Sequence, residues 1–205
     1  IESSLDFFPA KNQYKIQLST LLELCQRSID SLLRSQTRRL CGDYSMRKEC
    51  AMLLLKSMID DPTIRVITAD LGFGILDQIR NAFPDRFYNV GAAEQLMIGV
   101  AVGMANEGLK PVCYSMSSFL LYRPFEMLRN YVNYENVPVK LIGSGRDKDY
   151  SHDGISHWAH DDETVLKALP NVGCFKPGSI VDLENIWDRF INSDRPEYLN
   201  LTRKI

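Results

Sequence analysis

The stretch RFYNVGAAEQLM, residues 86–97, carries the clearest structural signal in the chain. Residues 87–90 predict a short strand, Gly91 can open the turn after it, and the small residues from Ala92 onward predict a helix. Glu94 then falls in the first helical turn, near the positive end of the helix dipole. Glu94 either caps its own helix from the third position or serves as a functional carboxylate, and the local spacing alone favours the cap.

Strands and helices alternate along the rest of the chain. Apolar runs predict further buried strands at residues 65–69, 111–114, 137–142, 172–175 and 197–201. Helical periodicity is found at residues 75–82, 92–107, 119–134, 163–168 and 179–192, and a helix capped by Ser45 runs to about residue 59. This alternation predicts an α/β fold in which helices cover both faces of a parallel sheet. The residues that follow strands should therefore meet at one edge of the sheet, namely Asp70, Gly91, Ser117 and the 143–154 loop.

The sequence divides into an N-terminal helical arm or linker, residues 1–44, and a domain at residues 45–205. Apolar residues recur at helical spacing from Leu18 to Leu33, and the sequence begins with Ile1 rather than an initiator methionine. A stripe of this kind needs a covering surface. We expect the arm to pack on a partner subunit rather than on its own domain.

Composition narrows the functional classes. With a net charge of −2 and 24% charged residues, the chain presents no electrostatic case for nucleic acid or an anionic membrane. No apolar run approaches the roughly 20 residues of a membrane span. The five cysteines are scattered and form no C-x-x-C pair, which favours reduced thiols in a cytoplasmic protein. His157 and His160 lie near two aspartates, but no second ligand cluster accompanies them, so we predict no metal site on this chain.

Several segments resemble the pyrimidine-binding domain of transketolases and related thiamine-diphosphate enzymes. They are RFYNVGAAEQLMIGVAVGMANEGLKPV, SSFLLYRPFEMLR, HDGISHWAHDDETVLKALPNV and YLNLTRK, in that order within residues 45–204. The resemblance implies a thiamine-diphosphate-binding fold of the pyrimidine type. The sequence has no Walker loop, and Gly72 with Gly74 forms only a G-x-G. It also lacks the G-D-G and asparagine element with which the family holds the diphosphate through Mg²⁺ or Ca²⁺. The chain thus resembles half of an active site.

The resemblance assigns a set of residues to the cofactor. They are Asp70, Leu71, Glu94, Phe119, Tyr122 and Phe125. In this family the glutamate at the position of Glu94 bonds N1′ of the aminopyrimidine, which promotes removal of the thiazolium proton, and flat aromatic rings suit a flat heterocycle. The residues also allow simpler interpretations. The three aromatic residues could be plain core packing, and Asp70 could cap the helix that begins near Ile75.

A second set of residues matches positions that contact the sugar substrate in transketolases. They are Arg47, Asp153, His157 and Arg203, with His157 also counted as catalytic because imidazole can relay protons near pH 7. From the residues alone, the arginines could be surface charges and the loop a polar surface loop. Where many transketolases have a histidine, this chain has Ser144-Gly145-Arg146, which suggests a different sugar phosphate or an unphosphorylated donor.

These observations predict the pyrimidine-binding subunit of a split transketolase-like enzyme. The family's third domain would begin beyond Ile205, so we expect a stand-alone chain that forms a homodimer, pairs with a diphosphate-binding subunit as a heterotetramer, and is inactive alone. The substrates would be sugars, and the reaction the transfer of a two-carbon ketol unit. Two alternatives stay open: a beta-type subunit of a 2-oxo acid dehydrogenase or a deoxyxylulose phosphate synthase-like enzyme, and a non-catalytic assembly partner.

Overall fold

The structure is a computed structural model that describes residues 45–203. The N-terminal arm predicted at residues 1–44 lies outside the described residues. The strands are β1 Ile64–Thr68, β2 Phe87–Asn89, β3 Lys110–Met116, β4 Lys140–Ser144, β5 Gly173–Phe175 and β6 Glu197–Leu201. The α-helices are α1 Met46–Asp60, α2 Asp77–Ala82, α3 Glu94–Asn106, α4 Ser117–Tyr122, α5 Phe125–Met127, α6 Asp162–Lys167 and α7 Ile180–Asn192. A π-helix continues α5 over Leu128–Tyr134, and short 3₁₀ turns occupy Pro84–Arg86, Ser151–Asp153 and Ile155–His157.

The six strands form one parallel sheet in the order β2-β1-β3-β4-β6-β5. The predicted α/β class is confirmed. Strand β1 lies between β2 and β3. The connection from β1 leads to β2 on one side, and the connection from β2 leads to β3 on the other side of β1. Such a switch point leaves a crevice at the carboxyl ends of the strands, where ligands bind in folds of this type.

Each face of the sheet carries its own apolar core, as a parallel sheet requires. On one face α1 and α7 pack over the strands with Leu54 and Phe190 among the fully buried residues, and Trp187 Nε1 donates to Ser57 Oγ at 2.9 Å to join the two helices. On the other face Met97 of α3 and Leu120 of α4 are among the fully buried residues. The strands are therefore held from both sides, and the loops at their carboxyl ends are fixed in place.

Proline breaks the helix that we predicted as continuous over residues 119–134. Helix α4 ends at Tyr122, Pro124 precedes α5, and the π-helix completes the segment. Proline lacks the amide proton for the helical hydrogen bond, and its ring collides with the preceding turn. The prediction of one regular helix was wrong, and Phe119 and Phe125 stand on different helices.

Candidate functional site

The loops that follow β1 and β2 are held together by one side chain, Asn89. Its Oδ1 accepts the backbone N–H of Asp70 at 2.9 Å and that of Gly91 at 3.0 Å. Asp70 adopts a left-handed backbone with φ of 56°, and Thr68 Oγ1 donates to the Leu71 carbonyl oxygen at 2.8 Å. Asp70 and Leu71 therefore have a fixed position at the crevice. The capping interpretation of Asp70 was wrong, because α2 begins at Asp77 and no side chain caps it.

Glu94 is a deeply buried acidic residue at this edge. It is the first residue of α3 and only 3% exposed. The interpretation of Glu94 as a cap at the third helical position was wrong, because the helix begins at Glu94 itself. Its Oε1 accepts a hydrogen bond from Arg123 Nη1 at 2.6 Å. Burying a carboxylate costs free energy unless it is paired, so this position needs a cationic or donor partner.

Phe119 presents its ring beside this carboxylate. The guanidinium carbon of Arg123 lies 3.6 Å from the Phe119 ring centroid. The His157 ring approaches the same phenyl ring edge-on, with centroids 4.9 Å apart. A continuous set of contacts thus joins Glu94, Arg123, Phe119 and His157, which come from three separate segments of the chain.

The other two predicted aromatic residues pack differently. Tyr122 donates its hydroxyl to Asp161 Oδ1, and burial together with this carboxylate raises the pKa of the tyrosine. Tyr122 and Phe125 are both partly buried against the apolar core beneath α3 and α4. The core packing that the sequence allowed for them is therefore observed, and their role as cofactor contacts stays a prediction.

The loop after β4 carries His157 and Asp153 on two 3₁₀ turns separated by Gly154. His157 Nδ1 lies 2.9 Å from Ser156 Oγ, which orients the ring against Phe119. Asp153 is exposed, and its Oδ2 lies 3.2 Å from His152 Nε2. The structure therefore brings His157 to the Phe119 contact set, whereas Asp153 lies on the exposed surface of the same loop.

The predicted substrate arginines meet around Tyr150. A cavity of about 190 Å³ is lined by Arg47, Leu71 and Tyr150, among others, and the Arg47 Nε is buried without a hydrogen-bond partner in the described part of the chain. The Arg203 guanidinium lies 4.6 Å from the centroid of the Tyr150 ring. A guanidinium group that lines a cavity is suited to an anionic or hydroxylated ligand.

Sequence reasoning missed the roles of Asn89 and Tyr150, and it did not anticipate the contacts of Arg146. The Arg146 Nη2 donates to the carbonyl oxygens of Asn200, at 2.6 Å, and of Pro177, at 3.0 Å. Arg146 therefore links two loops, and its effect on sugar specificity stays a prediction. Gly145, at φ of 89°, is needed because a Cβ there would overlap the Tyr150 ring.

The acidic residues near His160 are engaged within the fold. Asp162 is 1% exposed and bonds Lys176 Nζ at 2.7 Å and Asn200 Nδ2 at 2.6 Å, while Asp161 accepts from Tyr122. Among residues 45–203, no group of three histidine, cysteine or acidic side chains is placed to hold a metal ion. None of the helices in this range is both long and apolar enough to cross a membrane. The cytoplasmic location stays a prediction from cysteine usage.

Six parallel strands with helices on both faces define an α/β domain of the doubly wound type, in which ligands generally bind at the carboxyl edge of the sheet. The chain belongs to the transketolase family: the family model described as "Transketolase, pyrimidine binding domain" matches residues 43–205. This family uses thiamine diphosphate as its cofactor.

Relatives and solved structures agree with this assignment. The chain is 31% identical over 168 residues to a putative transketolase C-terminal section of Methanocaldococcus jannaschii, covering 81% of the chain and 53% of that relative. It is 32% identical over 160 residues to the 1-deoxy-D-xylulose-5-phosphate synthase of Prochlorococcus marinus, covering 78% of the chain and 25% of the synthase. A structure described as "Split gene transketolase, inactive beta4 tetramer" superimposes with a TM-score of 0.69 at 29% identity, covering 79% of this chain and 52% of that one. The chain thus spans about half or less of the length of these proteins.

Proposed function

We propose that this chain supplies the pyrimidine-binding half of a thiamine-diphosphate site in a split transketolase-like enzyme. A separate subunit completes the site by holding the diphosphate through Mg²⁺ or Ca²⁺, and the enzyme transfers a two-carbon ketol unit between sugars. The observation that carries the proposal is the buried Glu94 carboxylate at the start of α3, which Arg123 joins to the Phe119 ring.

The residues present fit an aminopyrimidine. This heterocycle is flat and has a ring nitrogen that becomes a hydrogen-bond donor when it is protonated, so it requires an acceptor in a dry environment and an aromatic face for stacking. The contacts of Arg123 support the fit, because a planar cationic group already bonds Glu94 and stacks on Phe119 simultaneously. When bound, thiamine diphosphate supplies the electron sink for the chemistry. In this proposal Glu94 holds a proton at N1′, Phe119 and Tyr122 line the ring with Phe125 behind them, and Asp70 and Leu71 border the cofactor.

The substrate is placed between the cofactor edge and the Tyr150 cavity. We assign Arg47 and Arg203 to an anionic group of the sugar, because Arg47 lines a cavity together with Leu71 and Tyr150, and the Arg203 guanidinium lies over the Tyr150 ring. His157 contacts Phe119, so a sugar hydroxyl or carbonyl near the pyrimidine lies within reach of its imidazole. Asp153, on the exposed side of the loop, is assigned to a more distal hydroxyl.

The partner arrangement is supported by the surface beside Glu94. An open depression of about 600 Å³ is lined by Ala93, Leu96, Gly99 and Met127, and Leu96 is 54% exposed. Gly103, on the same helix, is exposed and has nothing within 4 Å of the position of a Cβ, so another backbone can approach α3 closely there. We assign this surface to subunit contact in a homodimer that the diphosphate-binding partner extends to a heterotetramer.

Reconstitution tests the proposal. The chain and the diphosphate-binding subunit of a split transketolase are purified separately and then mixed. We expect ketol transfer from a ketose, and tight magnesium-dependent cofactor binding by calorimetry, only in the mixture. Micromolar binding of thiamine diphosphate to this chain alone would contradict the split site.

A second candidate function is a deoxyxylulose phosphate synthase-like reaction, in which pyruvate is the two-carbon donor. The 32% identity to the Prochlorococcus enzyme over 78% of the chain favours it, whereas the Asp153–His157 loop resembles that of transketolases more closely. Release of CO₂ from pyruvate by the reconstituted complex, without transfer from ketoses, would select this candidate. A beta-type 2-oxo acid dehydrogenase subunit would also release CO₂ but pass the product to an acyl carrier. A complex that binds the cofactor and turns over none of these donors would indicate a non-catalytic partner.

A further inference from the structure

Arg123 makes two contacts at the mouth of the Glu94 site. Its Nη1 bonds the buried carboxylate at 2.6 Å, and its guanidinium carbon lies 3.6 Å from the centroid of the Phe119 ring. The arginine side chain itself is 47% exposed. One planar cation therefore spans the acceptor and the aromatic platform while the rest of its surface faces solvent.

We propose that Arg123 is an internal occupant of the pyrimidine subsite, which it fills in the unliganded chain and must leave before the cofactor can bind. This inference rests on the proposed function, because it takes Glu94 and Phe119 to be the aminopyrimidine contacts. It adds a loading step that depends on one side chain of this protein.

Chemical likeness explains why the arginine fits. A guanidinium is flat and delocalised, donates hydrogen bonds within its plane, and stacks on aromatic rings. An aminopyrimidine protonated at its ring nitrogen has the same combination of flatness, positive charge and in-plane donors. Each species therefore satisfies the buried carboxylate and the phenyl ring in the same way.

The geometry makes the two occupants exclusive. Stacked groups lie about as close as the 3.6 Å seen here, which leaves no space for a second ring between Arg123 and Phe119. The His157 ring stands edge-on to Phe119, at an interplanar angle of 63° and a centroid distance of 4.9 Å. The Phe119 ring is thus engaged by both neighbours, and the face that the guanidinium covers becomes free only when Arg123 moves.

Arg123 is also placed to move. It directly follows the last residue of α4 and precedes Pro124, and within the described residues its one hydrogen bond is to Glu94. The long side chain borders the open depression beside Glu94, so it can swing into solvent without disturbing the core. While it is in place it keeps the buried carboxylate paired. The apparent affinity for a competing ligand is the intrinsic affinity multiplied by the fraction of molecules in which Arg123 is displaced.

The test uses the full chain and 4-amino-2,5-dimethylpyrimidine, a probe that lacks the diphosphate and so does not need the partner subunit. Binding is followed by NMR for the wild type, Arg123→Ala, Arg123→Lys and the control Arg129→Ala. Arg129 is an exposed arginine of the π-helix that bonds only Asn130 among the described residues. We expect the Arg123→Ala chain to bind the probe about tenfold more tightly than the wild type, and the Arg129→Ala chain to match the wild type.

Two further measurements test the proposal in case the Arg123→Ala chain does not fold. Arg123→Lys keeps the charge but cannot stack a flat group while donating, so it should tighten binding by a smaller factor. In the wild type, the Arg123 Nε–H signal should shift toward that of a solvent-exposed arginine as the probe is added. If Arg123→Ala binds the probe as the wild type does, or more weakly, the proposal for Arg123 is refuted, whereas the assignment of Glu94 and Phe119 to the pyrimidine is not affected. Absence of probe binding in every chain would overturn the site and the proposal together.

Discussion

Replacing Glu94 by alanine should lower the stability of the fold only slightly and slow the chemical step strongly. The lost interaction is one charge-assisted hydrogen bond to Arg123, a class worth about 1.5–3 kcal/mol. Arg123 is 47% exposed, so it recovers water contacts when its partner is removed, and the mutation also relieves the cost of burying a carboxylate. We therefore expect a net loss of about 1 kcal/mol in the free energy of unfolding. In a chain of this size such a loss lowers the thermal midpoint by about 2–4 °C.

The chemical effect should be far larger. Positioned general acid–base groups contribute about 10²- to 10⁴-fold, and alanine has no group to hold a proton at N1′. Proton–deuterium exchange at the thiazolium carbon, measured by NMR in the complex with the diphosphate-binding subunit, should slow by that factor. Glu107→Ala is the matched control, since Glu107 is exposed and follows the other end of the same helix. Wild-type exchange in the Glu94→Ala complex would refute the assignment of Glu94.

Three further predictions follow from single contacts. Gly145→Ala should lower the thermal midpoint more than Gly154→Ala: both positions have positive φ, but a Cβ at Gly145 would lie 2.6 Å from Tyr150 Cδ2, whereas Gly154 has nothing within 4 Å. Equal losses in the thermal midpoint would mean that the positive φ, rather than the contact with Tyr150, causes the destabilisation. Burial lowers the pKa of Lys140 to about 8 from 10.5, so the unfolded chain binds more protons between these values and the free energy of unfolding should rise from pH 8 to 10. The free energy of unfolding of Lys140→Met, measured by urea denaturation, should not rise between pH 8 and 10. The same rise in this variant as in the wild type would mean that other groups cause it. Arg47→Ala should raise the KM for a phosphorylated ketose at least tenfold and change that for an unphosphorylated one little, and equal effects on both would remove Arg47 from phosphate binding.

Local pattern accounts for most of the secondary structure. The strand predicted at residues 197–201 is observed with the same bounds, and Ser45 caps α1 as predicted, accepting the backbone N–H of Lys48 at 3.4 Å. These elements depend on apolar periodicity and on capping chemistry, which neighbouring residues determine. The broken helix after Phe119 was also predictable in principle, because Pro124 is a visible helix breaker.

The candidate site was only partly accessible from sequence. Arg123 follows Phe119 by four residues, a spacing that places both on one face of a helix, so their stacking could have been anticipated. Its bond to Glu94 joins residues 29 positions apart in the chain. Nothing in the local pattern of either segment indicates that pairing, and the same holds for Asn89, whose neighbours give no sign that it clamps Asp70.

The sequence by itself determined the elements, the parallel α/β class and the family, because periodicity, turn residues and motif order are properties of contiguous segments. Only the tertiary structure decided that β6 lies between β4 and β5, that Arg146 ties loops together, and that Arg123 fills the space between Glu94 and Phe119. These features arise where distant segments bury charge and apolar surface against one another. The free energy of such contacts depends on three-dimensional neighbours, which no single stretch of the chain specifies.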